Sequence, residues 1–270
     1  MVDIDAAIGY VVAHGDPVER ARLSYLRTGQ RPTAYPLMVE RIASGQTASG
    51  GWPASTDGVI PSVDATCFRL NELDDLGGLH GDVVDRALTW LAGAQRPNGT
   101  WQEDESLAAV APAWAMPGDP EATLYLTALA GFWFTVAEVE LHPHLDAPPR
   151  FAPTLAAAAA CFASQLRPDG TWPSFLAAGW HGAGLLHGQQ YFYESARVQL
   201  VLGDRLPDMT AADVASMAAA LRRVNLGDDW LLQESRKRLA ATQRTDGGWD
   251  SAEGPNFDVN TTLTVLRAVR

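Results

Sequence analysis

Four short segments of the chain share one pattern, in which a glutamine is followed by a glycine and a tryptophan. Three of them fit Gln-x-x-x-Gly-x-Trp, and the third in chain order has one extra residue between the glutamine and the glycine. The segments are Gln46–Trp52, Gln95–Trp101, Gln165–Trp172 and Gln243–Trp249. Four copies in 270 residues are far beyond chance, so the chain is predicted to repeat one structural unit.

Each segment follows a stretch whose apolar residues recur with the period of an α-helix. A second helical stretch follows after a loop, and these second stretches begin near Ser62, Asp119, Gln190 and Asp258. The pair Asp119-Pro120 also has the composition of a helix start, with a capping acid and a first-turn proline. No stretch shows sustained strand-like alternation, so we expect a nearly all-α chain of about six stacked helix pairs.

Each residue type of the repeat has a physical use. The glycine permits a tight turn after the helix. The tryptophan is expected to lie back over the end of that helix, and the glutamine to hydrogen-bond exposed backbone where the next helix starts. The repeat is therefore a structural element, and it specifies a fold more closely than a function.

The stretch 86–101, RALTWLAGAQRPNGTW, resembles the full QW motif of the terpene cyclase and prenyltransferase superfamily. That group includes squalene–hopene cyclases, class II diterpene cyclases and the β subunits of protein prenyltransferases. The resemblance covers about residues 35–270. It implies an (α/α)6-type barrel, with inner helices around a funnel and outer helices around those. We therefore expect residues 1–270 to form a single all-α barrel domain.

Composition limits the classes of function. Asp and Glu number 32 against 20 Lys and Arg, and the resulting net charge of −12 disfavours nucleic-acid binding. The N-terminus carries acids where a signal peptide carries bases, and the longest apolar run is shorter than the roughly 20 residues of a membrane span. Two cysteines form no disulfide framework. We expect a cytoplasmic, bacterial protein whose partner is a small molecule, with a homo-oligomer or a helical partner subunit as further possibilities.

Asp64 is the first candidate catalytic residue. Class II cyclases protonate an alkene or epoxide with the middle acid of a DxDD motif, and Ser62-Val-Asp64-Ala-Thr66 lies in the matching place after a repeat. The resemblance implies that Asp64 is the proton donor, although Ser62 and Ala65 replace the first and last acids. The alternative is that Asp64 is an ordinary first-turn acid, favoured there by the helix dipole.

The same position recurs after the other repeats. Spacing places Glu121, Glu194 and Asn260 there, with Asp258 two residues before Asn260. We therefore predict that Glu121 and Glu194 join Asp64 as catalytic acids or bases at one end of the funnel, and that Asp258 contacts the substrate. Each of these acids has the same alternative as Asp64, a favourable place in the first turn of a helix.

Aromatic and basic residues are candidates for substrate binding. Aromatic faces stabilise cations, so we predict cavity-lining roles for one set of aromatic residues, against the alternative of ordinary core. The set comprises Trp114, Trp133, Trp180, Tyr191 and Tyr193. Trp114 and Trp180 are expected in loops. Arg69 and Arg197 are candidates for binding a diphosphate, or they pair with Glu72 and Glu194.

His181 lies in a glycine-rich segment, GWHGAGLLHGQQ, which we interpret as an active-site loop or lid with a neutral histidine acting as a base. No protein metal site is expected, and Mg²⁺ is expected only with a diphosphate substrate. The run His142-Pro-His144-Leu-Asp146 is interpreted as a surface loop, and Asp228-Asp229 as the solvated start of a helix.

Three functions remain open. The leading hypothesis is a cyclase-like enzyme that protonates an isoprenoid or similarly apolar molecule. A second is a non-catalytic or partner-dependent barrel that binds a lipid or a protein, like a prenyltransferase β subunit. A third is an enzyme that uses the carboxylates as general acid and base on an unrelated small molecule.

Overall fold

The computed structural model describes residues 1–141, 150–226 and 230–270. The chain divides into two compact units. The first comprises Met1–Met38, Asp75–Gly77 and Leu200–Arg270, and the second comprises Val39–Asp74 and Gly78–Gln199. That residues 1–270 form a single domain stays a prediction. The segments 142–146 and 228–229 discussed above lie outside the described residues.

Helices make up nearly all regular structure in the described residues. In chain order they are α1 (Ile4–His14), α2 (Pro17–Thr28), α3 (Tyr35–Ala43), α4 (Val63–Asp75), α5 (Asp82–Ala94), α6 (Pro120–Leu141), α7 (Ala152–Gln165), α8 (Leu176–Gly188), α9 (Phe192–Arg205), α10 (Ala211–Arg223), α11 (Trp230–Thr242) and α12 (Asp258–Val269). One antiparallel ribbon pairs β1 (Trp52–Pro53) with β2 (Pro61–Ser62), with Trp52 opposite Ser62. The all-α class is confirmed.

The start of α6 follows the local sequence. The Asp119 carboxylate accepts a hydrogen bond from the backbone N–H of Ala122 at 2.9 Å, and Pro120 occupies the first helical position. Pro at this position loses no hydrogen bond, because the first N–H groups of a helix have no partner within it. The helix start predicted at Asp119-Pro120 is therefore confirmed.

Helix α6 is the central helix of the second unit. It packs against α7 and α8, and it buries Phe132, Trp133 and Phe134. It is also the one described helix that is long and apolar enough to cross a membrane, but most of its apolar stretch is buried within the structure. Burial of this kind is typical of a core helix, although α6 is longer than the apolar run recognised in the sequence.

Three of the four repeats make the same hydrogen bonds. Each glutamine amide donates to the carbonyl of its own glycine and to a carbonyl at the start of a neighbouring helix, and each indole N–H donates to a carbonyl of the preceding helix. The glutamine acceptors are Gly50 and Val83 for Gln46, Gly99 and Thr154 for Gln95, and Gly247 and Asp3 for Gln243. The indole acceptors are Ile42, Leu91 and Leu239, at 2.7 to 2.9 Å. The expected role of the tryptophan is confirmed in these repeats. The glutamine bonds the start of α5, α7 or α1, not the start of the helix that follows it in the chain.

The third repeat departs from this arrangement. Arg167 N–H donates to the carbonyl of Thr171, as Arg96 does to Thr100 in the second repeat. This turn places Leu166, not Gln165, at the position of the bonded glutamine, and Gln165 is exposed. The extra residue therefore replaces the amide with an apolar side chain. The Trp172 indole accordingly donates to Phe175, which follows it in the chain.

The third repeat also corrects the predicted order of helices. Each repeat glycine lies against the backbone of a neighbouring helix: Gly50 on α5, Gly99 on α7 and Gly170 on α9. Helix α9 therefore has the place of α5 and α7, and the helix that directly follows Trp172 is α8. The expectation that the second helix begins near Gln190, with a loop before it, was wrong.

Packing explains why a glycine-rich segment is helical here. A Cβ on Gly179 would lie 2.2 Å from the Trp172 ring, and one on Gly182 would lie 2.2 Å from the Phe162 ring. The two glycines thus let large aromatic side chains lie directly on the α8 backbone. Burial of that apolar surface outweighs the roughly 1 kcal/mol by which each glycine disfavours a helix.

Candidate active site

Asp64 lies in the first turn of α4, but its carboxylate does not cap that helix. The Ser62 hydroxyl accepts from Ala65 N–H at 3.0 Å. The N–H groups of Val63 and Asp64 both donate to the carboxylate of Glu103, at 2.9 Å. The first three amides of α4 are thus satisfied by Ser62 and Glu103. The Asp64 carboxyl therefore accepts none of these three N–H groups.

Asp64 lines a cavity of about 150 Å³ within the second unit. The other lining residues come from the start of α4, from Ala54 and from the loop between Trp101 and α6. They are Ser62, Ala65, Glu103, Leu107, Val110, Ala111, Pro112 and Ala115. Except for Ser62 and Glu103, the lining side chains are apolar. The cavity therefore presents an acid within a largely apolar wall.

The surroundings of Asp64 favour its protonated form. The Trp114 indole donates to Asp64 Oδ2 at 3.2 Å. Burial raises the pKa of Asp64, and this hydrogen bond lowers it by less. Burial withdraws water from the ionised carboxylate, and one neutral donor does not replace that solvation. Burial thus moves the pKa of Asp64 in the direction that a general acid requires.

Glu103 is the residue that sequence reasoning missed. Its side chain is buried, and its oxygens also accept from the Ser62 hydroxyl at 2.8 Å. The pKa of Glu103 is raised, chiefly by burial and also by the charge of Asp64, while its hydrogen bonds from Asp64, Val63 and Ser62 act in the opposite direction. The repeat pattern ends at Trp101, two residues earlier, so only its place in the loop brings Glu103 to α4.

Tyr125 occupies the position in α6 that Asp64 occupies in α4. In three repeats the backbone N–H of the tryptophan donates to a threonine hydroxyl of the following helix. These threonines are Thr66, Thr127 and Thr262. Two residues before each of them stand Asp64, Tyr125 and Asn260. The sequence alignment that put Glu121 at this position is thus displaced by one helical turn, because α6 begins a turn early.

Glu121 itself is exposed, and it is not among the residues that line the Asp64 cavity. Tyr125, by contrast, interacts electrostatically with Asp64. Its pKa is raised, first by burial and then by the charges of Asp64 and Cys67. The structure therefore brings Tyr125, not Glu121, close to the candidate acid.

His181 lies on α8 within an aromatic cluster. Its ring centroid is 5.0 Å from that of Phe132, 5.9 Å from Trp180 and 6.3 Å from Tyr125. Burial lowers the pKa of His181 to about 3, so the ring is neutral near pH 7. Its Nδ1 is buried and has no hydrogen-bond partner among the described residues. The neutral histidine predicted from the sequence is present, but on a helix instead of a loop.

The candidate residues on or next to α9 belong to a helix that has the place of α5 and α7, not that of α4 and α6. Glu194 is half-buried in the first turn of α9, next to the exposed Tyr193. Tyr191 directly precedes the helix. Arg197 donates to the backbone carbonyls of Arg167 and Pro168 and lies over the Tyr193 ring. Because α9 has the place of α5 and α7, these side chains support the third repeat, and no contact with Asp64 is seen.

The remaining candidates have varied surroundings. Trp133 and Trp180 are buried, and Trp180 lies within α8, not in a loop. Trp114 lies in a short 3-10 helix, Ala113–Ala115, as part of the loop over Asp64. Arg69 pairs with Glu72 on α4 at 2.5 Å, one of the two expected arrangements.

Asp258 belongs to the first unit. It is buried, and it accepts from Arg244 at 2.6 Å and from Ser251 N–H at 2.8 Å. Its carboxylate is thus used by an ion pair and a loop hydrogen bond. Among the residues that the structure describes, no group of three or more His, Cys, Asp or Glu side chains is arranged to hold a metal ion.

Comparisons with known proteins identify the fold. No protein-family model and no curated protein matches this chain. A crystal structure of a protein from Actinoplanes is similar, with a TM-score of 0.60, 16% identity and coverage of 99% of this chain and 97% of that one. The type II terpene cyclase MstE from Scytonema, in complex with its substrate geranylgeranyl dihydroxybenzoate, gives a TM-score of 0.60 at 14% identity, covering 98% and 95%.

A second structure of MstE, with its product merosterolic acid A, gives a TM-score of 0.55 at 16% identity, covering 98% of this chain and 85% of that one. At these identities the similarity concerns the fold alone. The chain therefore has a terpene cyclase-like all-α fold, and its chemistry has to be argued from its own side chains.

Proposed function

We propose that the chain is a terpene cyclase-like enzyme that protonates an isoprenoid or similarly apolar small molecule and guides its cyclisation or isomerisation. Asp64 is the acid. The observation that carries the proposal is that Asp64 lines a largely apolar cavity while Ser62 and Glu103 satisfy the start of α4. Because Ser62 and Glu103 accept these N–H groups, the hydrogen bonding of the helix start does not require the Asp64 carboxylate.

The reaction begins when the Asp64 O–H proton is transferred to an alkene carbon. The O–H bond breaks, a C–H bond forms from the alkene π electrons, and a carbocation remains opposite the Asp64 carboxylate. Aromatic rings stabilise such a cation by about 0.5–2 kcal/mol each. Tyr125 and Trp114 are the aromatic side chains that interact with Asp64 in this structure.

The reaction ends when a proton is lost from a carbon next to the cation. His181 is the base, because its Nδ1 is unpaired among the described residues and its ring is neutral. A pKa of about 3 makes it a weak base toward water, but a carbocation is a far stronger acid than an imidazolium. The net reaction leaves the proton count of substrate and enzyme unchanged once the proton returns to Asp64.

The loop over Asp64 controls access to the acid. Ligand pockets usually measure about 300–1,000 Å³, and the cavity at Asp64 measures about 150 Å³. Five of its lining residues, from Leu107 to Ala115, belong to the loop between Trp101 and α6. Binding a prenyl-sized substrate requires this loop to move away from α4.

Substrate class follows from the wall of the cavity. The lining side chains other than Ser62, Asp64 and Glu103 are apolar, so an uncharged alkene suits the site better than a diphosphate. Arg69 and Arg197 are already engaged by Glu72 and by backbone carbonyls. Mg²⁺ is needed only if a diphosphate substrate is used, and we place the enzyme in the cytoplasm.

The test compares Asp64→Asn with Asp82→Asn. Asp82 is an exposed first-turn acid of α5, so the pair separates catalysis from a helix-dipole effect. The probe is geranylgeranyl dihydroxybenzoate, followed by mass spectrometry and NMR of cyclised products. We expect Asp64→Asn to lower turnover about 100–10,000-fold while binding persists, because the amide has no transferable acidic proton. Asp82→Asn should retain full turnover.

A second candidate function is supported by the two neighbouring carboxyl groups. Asp64 and Glu103 line one cavity, as a general acid and base do in hydrolases. This function predicts that polar metabolites, not prenylated aromatics, raise the melting temperature. A protein that binds lipid or a partner without catalysis predicts ligand stabilisation that Asp64→Asn leaves intact, with no product from either substrate class.

A further inference from the structure

Glu103 makes an unusual set of contacts for a loop carboxylate. Oε1 accepts from the Ser62 hydroxyl at 2.8 Å and from Asp64 N–H at 2.9 Å, and Oε2 accepts from Val63 N–H at 2.9 Å. The side chain is 3% exposed. A carboxyl proton on either oxygen would compete with these donors, so the three hydrogen bonds favour the ionised form.

The place of this charge matters for α4. The start of a helix carries unpaired N–H groups and a partial positive charge, which together favour an anion. Glu103 supplies that anion from a loop that is distant in sequence. The helix therefore does not need Asp64 as its anion, although Asp64 is the acid nearest to the helix start on α4 itself.

We propose that Glu103 is a positioning residue that takes the negative charge at the start of α4 so that Asp64 keeps its proton and presents it to the cavity. This inference rests on the proposed function of Asp64 as the acid. It assigns to Glu103 a carboxylate role that Ser62 and Ala65, the residues flanking Asp64 in the class II pattern, cannot fill.

Two carboxyl groups that lie close together carry one negative charge more readily than two. The charge is held by the carboxylate that accepts more hydrogen bonds. Glu103 has three hydrogen-bond donors, two of them helix-start amides, whereas Asp64 has the single indole of Trp114. Burial raises the pKa of both carboxyls, and the charge of Asp64 raises that of Glu103 further. We assign the proton to Asp64 because Glu103 has the larger number of hydrogen-bond donors.

Other titratable groups leave this assignment unchanged. Cys67 and Tyr125 are the further groups that interact with the pair, and burial raises the pKa of both. Both are therefore neutral near pH 7, and neither supplies a charge that would compete with Glu103. Burial raises the pKa of Asp64 and the Trp114 hydrogen bond lowers it, and the proposal adds the charge of Glu103 to these two effects.

The first test uses the unmodified protein. Selective ¹³C labelling of Asp and Glu side-chain carboxyls, with signals assigned by Asp64→Asn and Glu103→Gln, gives both titration curves by NMR. We expect Glu103 to ionise at a lower pH than Asp64. If Asp64 ionises at a lower pH than Glu103, the proposal is overturned. The titration uses the wild-type protein without substrate, and the two variants serve only to assign the signals.

The second test removes the charge. In Glu103→Gln the pKa of Asp64 is expected to fall by about one unit or more, a tenfold change in proton affinity equal to about 1.4 kcal/mol. Glu103→Asp keeps the charge and should keep the pKa of Asp64 nearer the wild-type value. Asp104→Asn is the matched control, since Asp104 is the exposed neighbour that bonds only Ser106 among the described residues. An unchanged Asp64 pKa in Glu103→Gln overturns the proposal.

Turnover separates this proposal from the proposed function. With Asp64 as acid, the rate falls as pH rises through its pKa, so Glu103→Gln should move that limb of the pH–rate profile to lower pH. A purely structural role would lower the rate equally at every pH. If Asp64→Asn stays fully active, the cyclase function fails, and the NMR titrations still decide whether Glu103 holds the charge.

Discussion

The glycine of each repeat offers the sharpest quantitative test of the fold. Gly99 has φ +84°, and a Cβ there would lie 2.5 Å from the carbonyl oxygen of Ala157 on α7. Gly50 and Gly247 have φ +109° and +91°, with the corresponding contacts at 2.4 and 2.3 Å. Gly170 has φ +87°, but its nearest atom, the Arg197 carbonyl oxygen, is 3.0 Å away. Substitution by alanine should therefore be graded.

The magnitudes come from two separate costs. A positive φ costs an alanine roughly 1–2 kcal/mol, and it applies to all four glycines. A contact below 3.0 Å with fixed backbone adds an overpacking cost of roughly 1–3 kcal/mol. We expect Gly99→Ala to lower the free energy of unfolding by roughly 2–5 kcal/mol, and Gly170→Ala by roughly 1–2 kcal/mol.

Urea denaturation followed by circular dichroism measures both values. Gly93→Ala is the matched control, because Gly93 is exposed in α5 and a Cβ there would meet no atom within 4 Å. It should raise the free energy of unfolding by roughly 0.5–1 kcal/mol, since alanine favours a helix over glycine. Equal losses in Gly99→Ala and Gly170→Ala would refute the packing argument, and no loss in Gly99→Ala would refute the repeat geometry itself.

Three further predictions concern single side chains. Thr127→Val removes the acceptor for the buried N–H of Trp101 and should lower the free energy of unfolding by roughly 1–3 kcal/mol in urea, whereas Thr264→Val, at a helical surface position, should cost far less. Because burial lowers the pKa of His181 to about 3, the unfolded chain binds a proton that the folded chain does not at pH values between about 3 and 6.5. Stability should then fall with decreasing pH by up to about 1.4 kcal/mol per unit in that window, and His181→Phe should remove this contribution in urea titrations at several pH values. Trp114→Phe removes the donor to Asp64 Oδ2, so the pKa of Asp64 should rise in the NMR titration, while stability changes by less than roughly 0.5 kcal/mol because Trp114 is half-exposed.

The sequence predicted those features that depend on a few neighbouring residues. The helix start at Asp119-Pro120 and the tryptophan that lies back on the preceding helix both involve partners within 3 and 10 residues along the chain, respectively. Asp64 was identified as a cavity candidate by its position after a repeat. These features survive because their geometry is local, and local geometry is encoded by local sequence.

The third repeat shows where this reasoning failed. Its glycine-rich segment predicts a loop, because Gly179 and Gly182 lower helix propensity. In the structure the rings of Trp172 and Phe162 cover these glycines, and α8 forms. The prediction that placed Tyr191 and Glu194 on the second helix of the third repeat failed for the same reason, because α8 takes that place. The helix predicted near Asp258 is α12.

The candidate site was only half visible in the sequence. Asp64 could be found from its spacing, but its helix-start position equally fits an ordinary capping acid. The structure adds Glu103, 39 residues away in the chain, whose carboxylate accepts the N–H groups of Val63 and Asp64 at the start of α4. No periodicity or motif marks Glu103, because its role depends on where a loop returns in space.

By itself the sequence determined the all-α class and the repeats, because helical periodicity and the glutamine–glycine–tryptophan spacing record local backbone geometry. It also pointed to Asp64 as the candidate acid. Only the tertiary structure decided that α8 is a helix, that Tyr125 takes the place assigned to Glu121, and that Glu103 lies at the start of α4. The physical reason is that burial and hydrogen bonding between distant segments set the pKa of a carboxyl group and outweigh propensities of about 1 kcal/mol per residue.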